Sequence, residues 1–124
     1  MRLVDKEVLE MIDGTALEMA NYFSRDTGLR KTIWIDQAAP NRSIPHDKRR
    51  VKYGPSQDIS IKFNEKGDCT VEGSFKKSDF PDVARVQEWI KLNLAALTKL
   101  YDGYDNKGNR YTIDDFDSEK KLVK

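Results

Sequence analysis

The chain has 124 residues, a length that fits one domain with one modest core. Its 22 Lys and Arg nearly balance its 21 Asp and Glu, so a net charge of +1 predicts no overall attraction to DNA or to an anionic membrane. No apolar run approaches membrane-spanning length, and a single cysteine excludes a disulfide within the chain. Acidic residues interrupt the apolar residues near position 1, so we expect no secretory signal there. We therefore expect a cytoplasmic protein that does not associate with membranes.

The first element predicted is an amphipathic helix over residues 5–26. Apolar side chains recur there at spacings of three and four, which is typical of a helix with one buried face. Asp5 is a candidate N-cap, and Gly28 is a candidate C-terminal stop.

Four strands are predicted next, over residues 31–37, 49–53, 58–63 and 69–75. They are rich in β-branched and aromatic residues, and turn-forming residues separate them. Alternation assigns one side of these strands to the core and the other to solvent. The residues assigned to the core are Ile33, Ile35, Val51, Tyr53, Ile59, Ile61, Phe63, Cys69, Val71 and Phe75. The residues assigned to the outer face are Thr32, Trp34, Asp36, Arg50, Lys52, Ser60, Lys62, Thr70, Glu72 and Ser74.

A second helix is predicted over residues 81–101, with Pro81 in its first turn. We expect residues 1–101 to form a single α+β domain of two layers, with an antiparallel sheet of about four strands and two helices packed on one face. Residues 102–124 are predicted to be a polar C-terminal extension that can close a small hairpin around Lys107-Gly108 and that ends in a frayed tail.

Within residues 33–101 four motifs follow one another: Pro45-His46, then Val51-Lys52-Tyr53-Gly54, then Glu72-Gly73, and Glu88-Trp89-Ile90 in a helix. This order resembles a family of short uncharacterised bacterial and phage proteins, a domain of unknown function that is sometimes associated with toxins. In that family two histidines, separated by one residue, come directly before the Val-x-Tyr-Gly motif. Their positions are occupied here by Lys48 and Arg50. The resemblance therefore implies a fold and carries over no metal or acid–base role.

No complete catalytic or metal-binding set is visible in the sequence. His46 is the only histidine and has no second His or Cys near it, so we interpret it as a loop residue. Cys69 alternates onto the core face and is interpreted as a small buried hydrophobe. The acidic residues at 114–117 are expected to lie in a solvated, mobile tail. We predict a protein that is not an enzyme and needs no metal or cofactor, because catalysis would require Asp36, His46 and a tail acid to converge.

Basic residues gather between positions 42 and 62, next to an aromatic side chain. Cations hold phosphate and a flat ring stacks on a base, so this combination favours a nucleotide-like ligand. The predicted ligand-binding residues are Trp34, Arg42, Lys48, Arg49, Arg50, Lys52, Lys62 and Arg110.

The predicted function is that of a small non-catalytic binding protein whose partner is anionic: a nucleotide, a signalling oligonucleotide or nucleic acid. Two other interpretations of the basic residues stay open: a solvated face that keeps the sheet soluble, and a surface covered by the acidic segment 102–119. The alternative function is a protein–protein interaction module, such as an antitoxin-like protein, a phage-encoded inhibitor of a host factor, or a homodimer subunit.

Overall fold

An antiparallel sheet forms one layer of the protein, in a computed structural model that describes residues 3–4, 10–12, 15–38 and 43–123. Its strands are β1 (Leu3–Val4), β2 (Glu10–Ile12), β3 (Thr15–Tyr22), β4 (Ile33–Ala38), β5 (Arg50–Tyr53), β6 (Ile59–Phe63) and β7 (Cys69–Gly73). Their order across the sheet is β1-β3-β4-β5-β6-β7, and β2 also pairs with β3. The predicted α+β class is confirmed, although the sheet has more strands than the four expected.

Helices form the second layer, on one face of the sheet. They are α1 (Ser24–Thr27), α2 (Phe80–Leu92), α3 (Leu94–Asp102) and α4 (Ile113–Glu119). Aromatic rings join the layers: Phe63 of β6 meets Tyr101 of α3, and Tyr22 of β3 meets Phe116 of α4. No helix in the described ranges is long and apolar enough to cross a membrane.

The predicted helix over residues 5–26 is wrong. Among the described residues of this range, only those of the short α1 are helical. Residues 10–12 and 15–22 are strands, and β3 pairs with β4 from Leu17 opposite Ala38 to Tyr22 opposite Ile33. Ala, Leu, Met and Glu favour helices in isolation, but such propensity is weak and pairing with neighbouring strands overrides it. Residues 5–9 and 13–14 lie outside the described residues.

The second predicted helix, over residues 81–101, is divided into α2 and α3 at Asn93. The Asn93 side-chain amide donates to the Trp89 carbonyl oxygen at 3.0 Å and to the Lys121 carbonyl oxygen at 3.1 Å, and its Oδ1 accepts the Lys121 main-chain N–H at 2.7 Å. An asparagine side chain that bonds nearby main chain competes with regular helical bonding. At the point where the helix is interrupted, Asn93 therefore binds the main chain of the C-terminal segment.

The C-terminal segment is more ordered than the sequence indicated. Tyr104 and Arg110 form a single β-bridge around the predicted turn, so the small hairpin is present. The acids at 114–117 lie on α4, whose Phe116 is fully buried, and they do not form a mobile tail. Val123 is buried and its N–H donates to the Thr27 carbonyl oxygen at 2.8 Å, so the predicted frayed end is also incorrect up to this residue.

Burial alternates along the central strands as predicted. In β5 and β6 the odd-numbered residues are buried in the core, and the even-numbered residues are half-buried on the outer face. The pattern fails at Phe75, which is 38% exposed, because the chain leaves the sheet after Gly73. It also fails at Asp36 and Asn21, which are buried although they lie on the outer face. The outer face is therefore covered at Asn21 and Asp36, and it is partly exposed at Trp34 and over β5 to β7.

Candidate functional site

A basic cleft of about 470 Å³ lies on the outer face over β5, β6 and β7. We call it the basic cleft; it is lined by Asp47, Lys48, Arg50, Lys52, Ser60, Lys62 and Glu72. Its volume is within the range of small-ligand sites, about 300–1,000 Å³. Four of the seven lining side chains are cationic and two are acidic, so the cleft favours an anion.

Strand register places the cations of the basic cleft next to one another. Arg50 of β5 faces Lys62 of β6 directly, and Lys52 faces Ser60. Like charges placed opposite each other destabilise a sheet, and an anion between them relieves that repulsion. Glu72 offsets part of it, with its Oε1 3.8 Å from Lys62 Nζ. Both side chains of that pair are about half exposed, so water screens it and it contributes little to stability.

Trp34 lies beside the basic cleft, one strand away from it. Register places Trp34 of β4 opposite Lys52 of β5. The indole N–H donates to the Gly54 carbonyl oxygen at 2.9 Å, which fixes the orientation of the ring. A half-buried ring held in one orientation next to a lysine is a suitable surface for stacking a base.

Lys48 enters the basic cleft from the loop that precedes β5. It ends the 3-10 turn His46–Lys48, in which the Lys48 N–H donates to the Pro45 carbonyl oxygen at 2.9 Å. His46, in the same turn, is exposed and does not line the basic cleft.

Arg49 does not belong to the basic cleft, contrary to the sequence prediction. Its side chain is only 5% exposed, its Nη2 donates to Asp102 Oδ1 at 2.6 Å, and its Nε donates to the Ile44 carbonyl oxygen at 3.0 Å. Since neighbouring residues of an extended chain point to opposite sides, Arg49 faces the helix layer while Arg50 faces the cleft. Arg49 therefore joins the loop before β5 to the end of α3.

The other two predicted binding residues are not placed in the basic cleft. Arg110 is exposed and lines a separate cleft of about 320 Å³ in the helix layer, together with Lys99 and Glu119. Arg42 lies outside the described residues. The structure thus brings together Lys48, Arg50, Lys52 and Lys62, with Trp34 alongside.

Tyr101 supports the basic cleft from the helix side of the sheet, a role that no sequence pattern indicates. Its hydroxyl donates to the Arg50 carbonyl oxygen at 2.7 Å and accepts the Asp36 N–H at 3.3 Å, so it lies between the main chains of β4 and β5. Complete burial, with the nearby Asp36 carboxylate as a second cause, raises the pKa of Tyr101 well above its usual value. Tyr101 therefore stays protonated and can act as a donor across the physiological pH range.

The other side chains considered for catalysis or metal binding, Cys69 and the acidic residues of α4, make contacts that stabilise the fold. Burial raises the pKa of the half-buried Cys69 thiol, which disfavours the nucleophilic thiolate. On α4, Asp115 caps the helix through Thr112, and Asp117 accepts a hydrogen bond from Tyr22. Among the described residues, no group of three or more His, Cys, Asp or Glu side chains is placed to hold a metal ion.

Comparisons of the chain with protein-family models, with curated proteins and with solved structures find no match. The resemblance to short bacterial and phage proteins therefore stays a prediction.

Proposed function

We propose that the protein binds a phosphate-bearing nucleotide ligand, either a free nucleotide or single-stranded nucleic acid, in the basic cleft. The observation that carries this proposal is the convergence of Lys48, Arg50, Lys52 and Lys62 on one cleft. Phosphates supply the negative charge that this cleft favours, and counterion release makes such binding strong at low salt.

Trp34 supports a nucleotide in preference to a simple anion. Trp34 and Lys52 are opposite each other on neighbouring strands, whose backbones are about 4.8 Å apart, so a base on the ring and a phosphate on the lysines are within reach of one nucleotide. Base stacking on an aromatic ring contributes roughly 1–3 kcal/mol per base.

The experiment is fluorescence anisotropy with a fluorescein-labelled single-stranded oligothymidylate, with ATP as competitor. In the test variant Lys52→Glu and Lys62→Glu are combined. The control combines Lys91→Glu and Lys107→Glu, which changes the net charge equally at two exposed positions that do not line the basic cleft. We expect the test variant to lose at least about tenfold in affinity, a difference of about 1.4 kcal/mol, and the control to lose much less.

Equal affinities of the wild type and the Lys52/Lys62 variant contradict the proposal. Equal losses in both variants contradict it too, because they indicate an effect of net charge alone. Circular dichroism and thermal unfolding of each variant establish that the fold is retained.

We further propose that the protein binds its ligand without catalysing a reaction and that it is located in the cytoplasm. A lone half-buried thiol, Cys69, supports that compartment. The alternative of a protein–protein interaction module also stays a prediction. Leu92 and Leu122, 45% and 50% exposed, favour it because they line an apolar cavity of about 730 Å³ in the helix layer.

A further inference from the structure

Strand β7 is an edge of the sheet. Within the described part of the chain, only β6 pairs with it. The Ser74 N–H donates to the Asp58 carbonyl oxygen at 3.1 Å, and in an antiparallel ladder every second residue repeats this pattern. The even-numbered residues of β7 therefore bond to β6, and the main-chain N–H and C=O groups of Cys69, Val71 and Gly73 point away from the sheet.

Apolar side chains accompany this open edge. Cys69 and Val71 are only partly buried against the core. Just past the strand, Phe75 is 38% exposed and Phe80 is 52% exposed, and their ring centroids lie 5.7 Å apart. An edge with main-chain donors, acceptors and apolar surface is suited to the addition of another strand.

We propose that β7 pairs antiparallel with β7 of a second copy, in a symmetric dimer centred on Val71. Three symmetric registers, centred on residue 70, 71 or 72, match the outward-pointing main-chain groups and pair at least three residues of β7 with β7 of the second copy. Charge decides between them, because like charges placed directly opposite are destabilising.

Only the register centred on Val71 avoids such a like-charge pair. A centre at Thr70 places Glu72 opposite Asp68 of the second copy, and a centre at Glu72 places the two Glu72 side chains opposite each other. With Val71 at the centre, Glu72 faces Thr70 and Cys69 faces Gly73. The strand is therefore complementary to itself, and a net charge of +1 per chain adds little repulsion between copies.

The symmetry of this pairing determines on which side of the extended sheet the helix layers and the basic clefts lie. Its two-fold axis is perpendicular to the sheet, so both helix layers lie on one side and both basic clefts lie on the other. The two β6 strands are three strand spacings apart, about 14 Å. The interface is small, since β7 has five residues, so we expect association that is weak and concentration-dependent.

Sedimentation equilibrium from low to high micromolar concentration tests association through this edge. We expect the wild-type mass to rise from the monomer value of 14.3 kDa towards twice that value. Val71→Pro removes an N–H that points away from β6, a position where an edge strand tolerates proline, and we expect it to remain monomeric. Val71→Thr keeps the N–H and the branched side chain, and we expect it to associate like the wild type. A wild type that is monomeric throughout, or a folded Val71→Pro variant that still dimerises, overturns the proposal.

Disulfide trapping tests the register, whether or not Val71→Pro folds. Thr70→Cys and Glu72→Cys are made separately, each with Cys69→Ala. In the proposed register the two cysteines of a mixed pair face each other at a Cα separation of about 4.5 Å, which a disulfide can span. Two copies of one variant place their cysteines diagonally, about 7–8 Å apart, beyond easy bridging.

We expect disulfide-linked dimers from the oxidised mixture and few from either variant alone. Equal yields from the mixture and from the single variants, or no linked dimer in any of them, overturn the proposal. Both experiments are done without a nucleotide ligand, so their outcome is independent of the proposed function.

Discussion

The hydroxyl of Tyr101 on α3 donates a 2.7 Å hydrogen bond to the main-chain oxygen of Arg50 on β5. The side chain of the same Arg50 lines the basic cleft on the opposite side of the sheet. Arg50 thus contacts the helix layer through its main chain and the candidate ligand site through its side chain. We infer that the packing of α3 positions this part of the cleft.

The Tyr101 hydroxyl is predicted to stabilise the fold. Tyr101→Phe removes the shared partner of the Asp36 N–H and the Arg50 carbonyl, and we expect a loss of roughly 1–3 kcal/mol in the free energy of unfolding. Guanidinium unfolding measures this loss. Tyr104→Phe, at a side chain that is 45% exposed, is the control and should change stability little. Equal effects of the two substitutions would contradict this role of Tyr101.

Stability is predicted to fall at alkaline pH. Burial, followed by the nearby Asp82 carboxylate, raises the pKa of Tyr53 to about 12, while an unfolded tyrosine has a pKa of about 10. The folded state therefore binds more protons between these values, so the stabilisation present below about pH 10 is lost as the pH rises towards about 12. Urea unfolding across this range measures the decline. Tyr53→Phe should make it shallower, and the same slope in the wild type and in Tyr53→Phe would contradict the assignment to Tyr53.

Arg49 and Lys52 are predicted to have separable roles. Arg49→Ala removes hydrogen bonds to Ile44 and Asp102, and we expect a loss of roughly 1.5–3 kcal/mol in stability with little change in the affinity of the folded protein for oligothymidylate. Lys52→Ala should leave stability within about 0.5 kcal/mol. It should lower the affinity and reduce the magnitude of the log-affinity against log-salt slope by about 0.7, the value for one phosphate contact with a single strand. If Arg49→Ala lowered the affinity and the salt slope while Lys52→Ala lowered the stability, Arg49 and not Lys52 would contact the ligand.

Alternation predicts the faces of the central strands correctly, and the prediction for Arg49 was wrong because it did not follow this alternation. Arg50 and Val51 fall on opposite faces of β5, and the same alternation puts Arg49 with Val51, on the core side. The sequence therefore contained the signal that Arg49 faces inwards. For Tyr101 no such signal exists, because its position in the stripe of a helix does not show which main-chain groups its hydroxyl will meet.

Elements stabilised by distant contacts were not predictable from local patterns. The residues of β3 favour a helix by composition, and their strand conformation depends on pairing with β4. In the C-terminal segment, the apolar spacing of Ile113 and Phe116 was the available sign of a buried helix face, and the many acidic residues around it concealed that sign.

Gly28 is predicted to be required by the packing of the C-terminal segment. It has a φ of +81°, and a Cβ there would collide with the Val123 main-chain oxygen. Gly108 has nearly the same φ, +82°, with nothing within 4 Å of a Cβ, and is therefore the matched control. We expect Gly108→Ala to cost roughly 1–2 kcal/mol from backbone strain alone and Gly28→Ala to cost distinctly more, as measured by thermal unfolding. Equal costs would show that the C-terminal segment does not pack closely against residue 28.

The hydrogen bond from Tyr22 to Asp117 joins residues 95 positions apart. During synthesis β3 emerges early, and the α4 residues that cover Tyr22 are translated only near the end of the described chain. The aromatic ring of Tyr22 therefore stays uncovered until the residues of α4 have been synthesised. Contacts of such long sequence separation slow folding. A nascent chain that stalls before residue 113 exposes this surface, which makes the incomplete protein a natural target for chaperones and proteases.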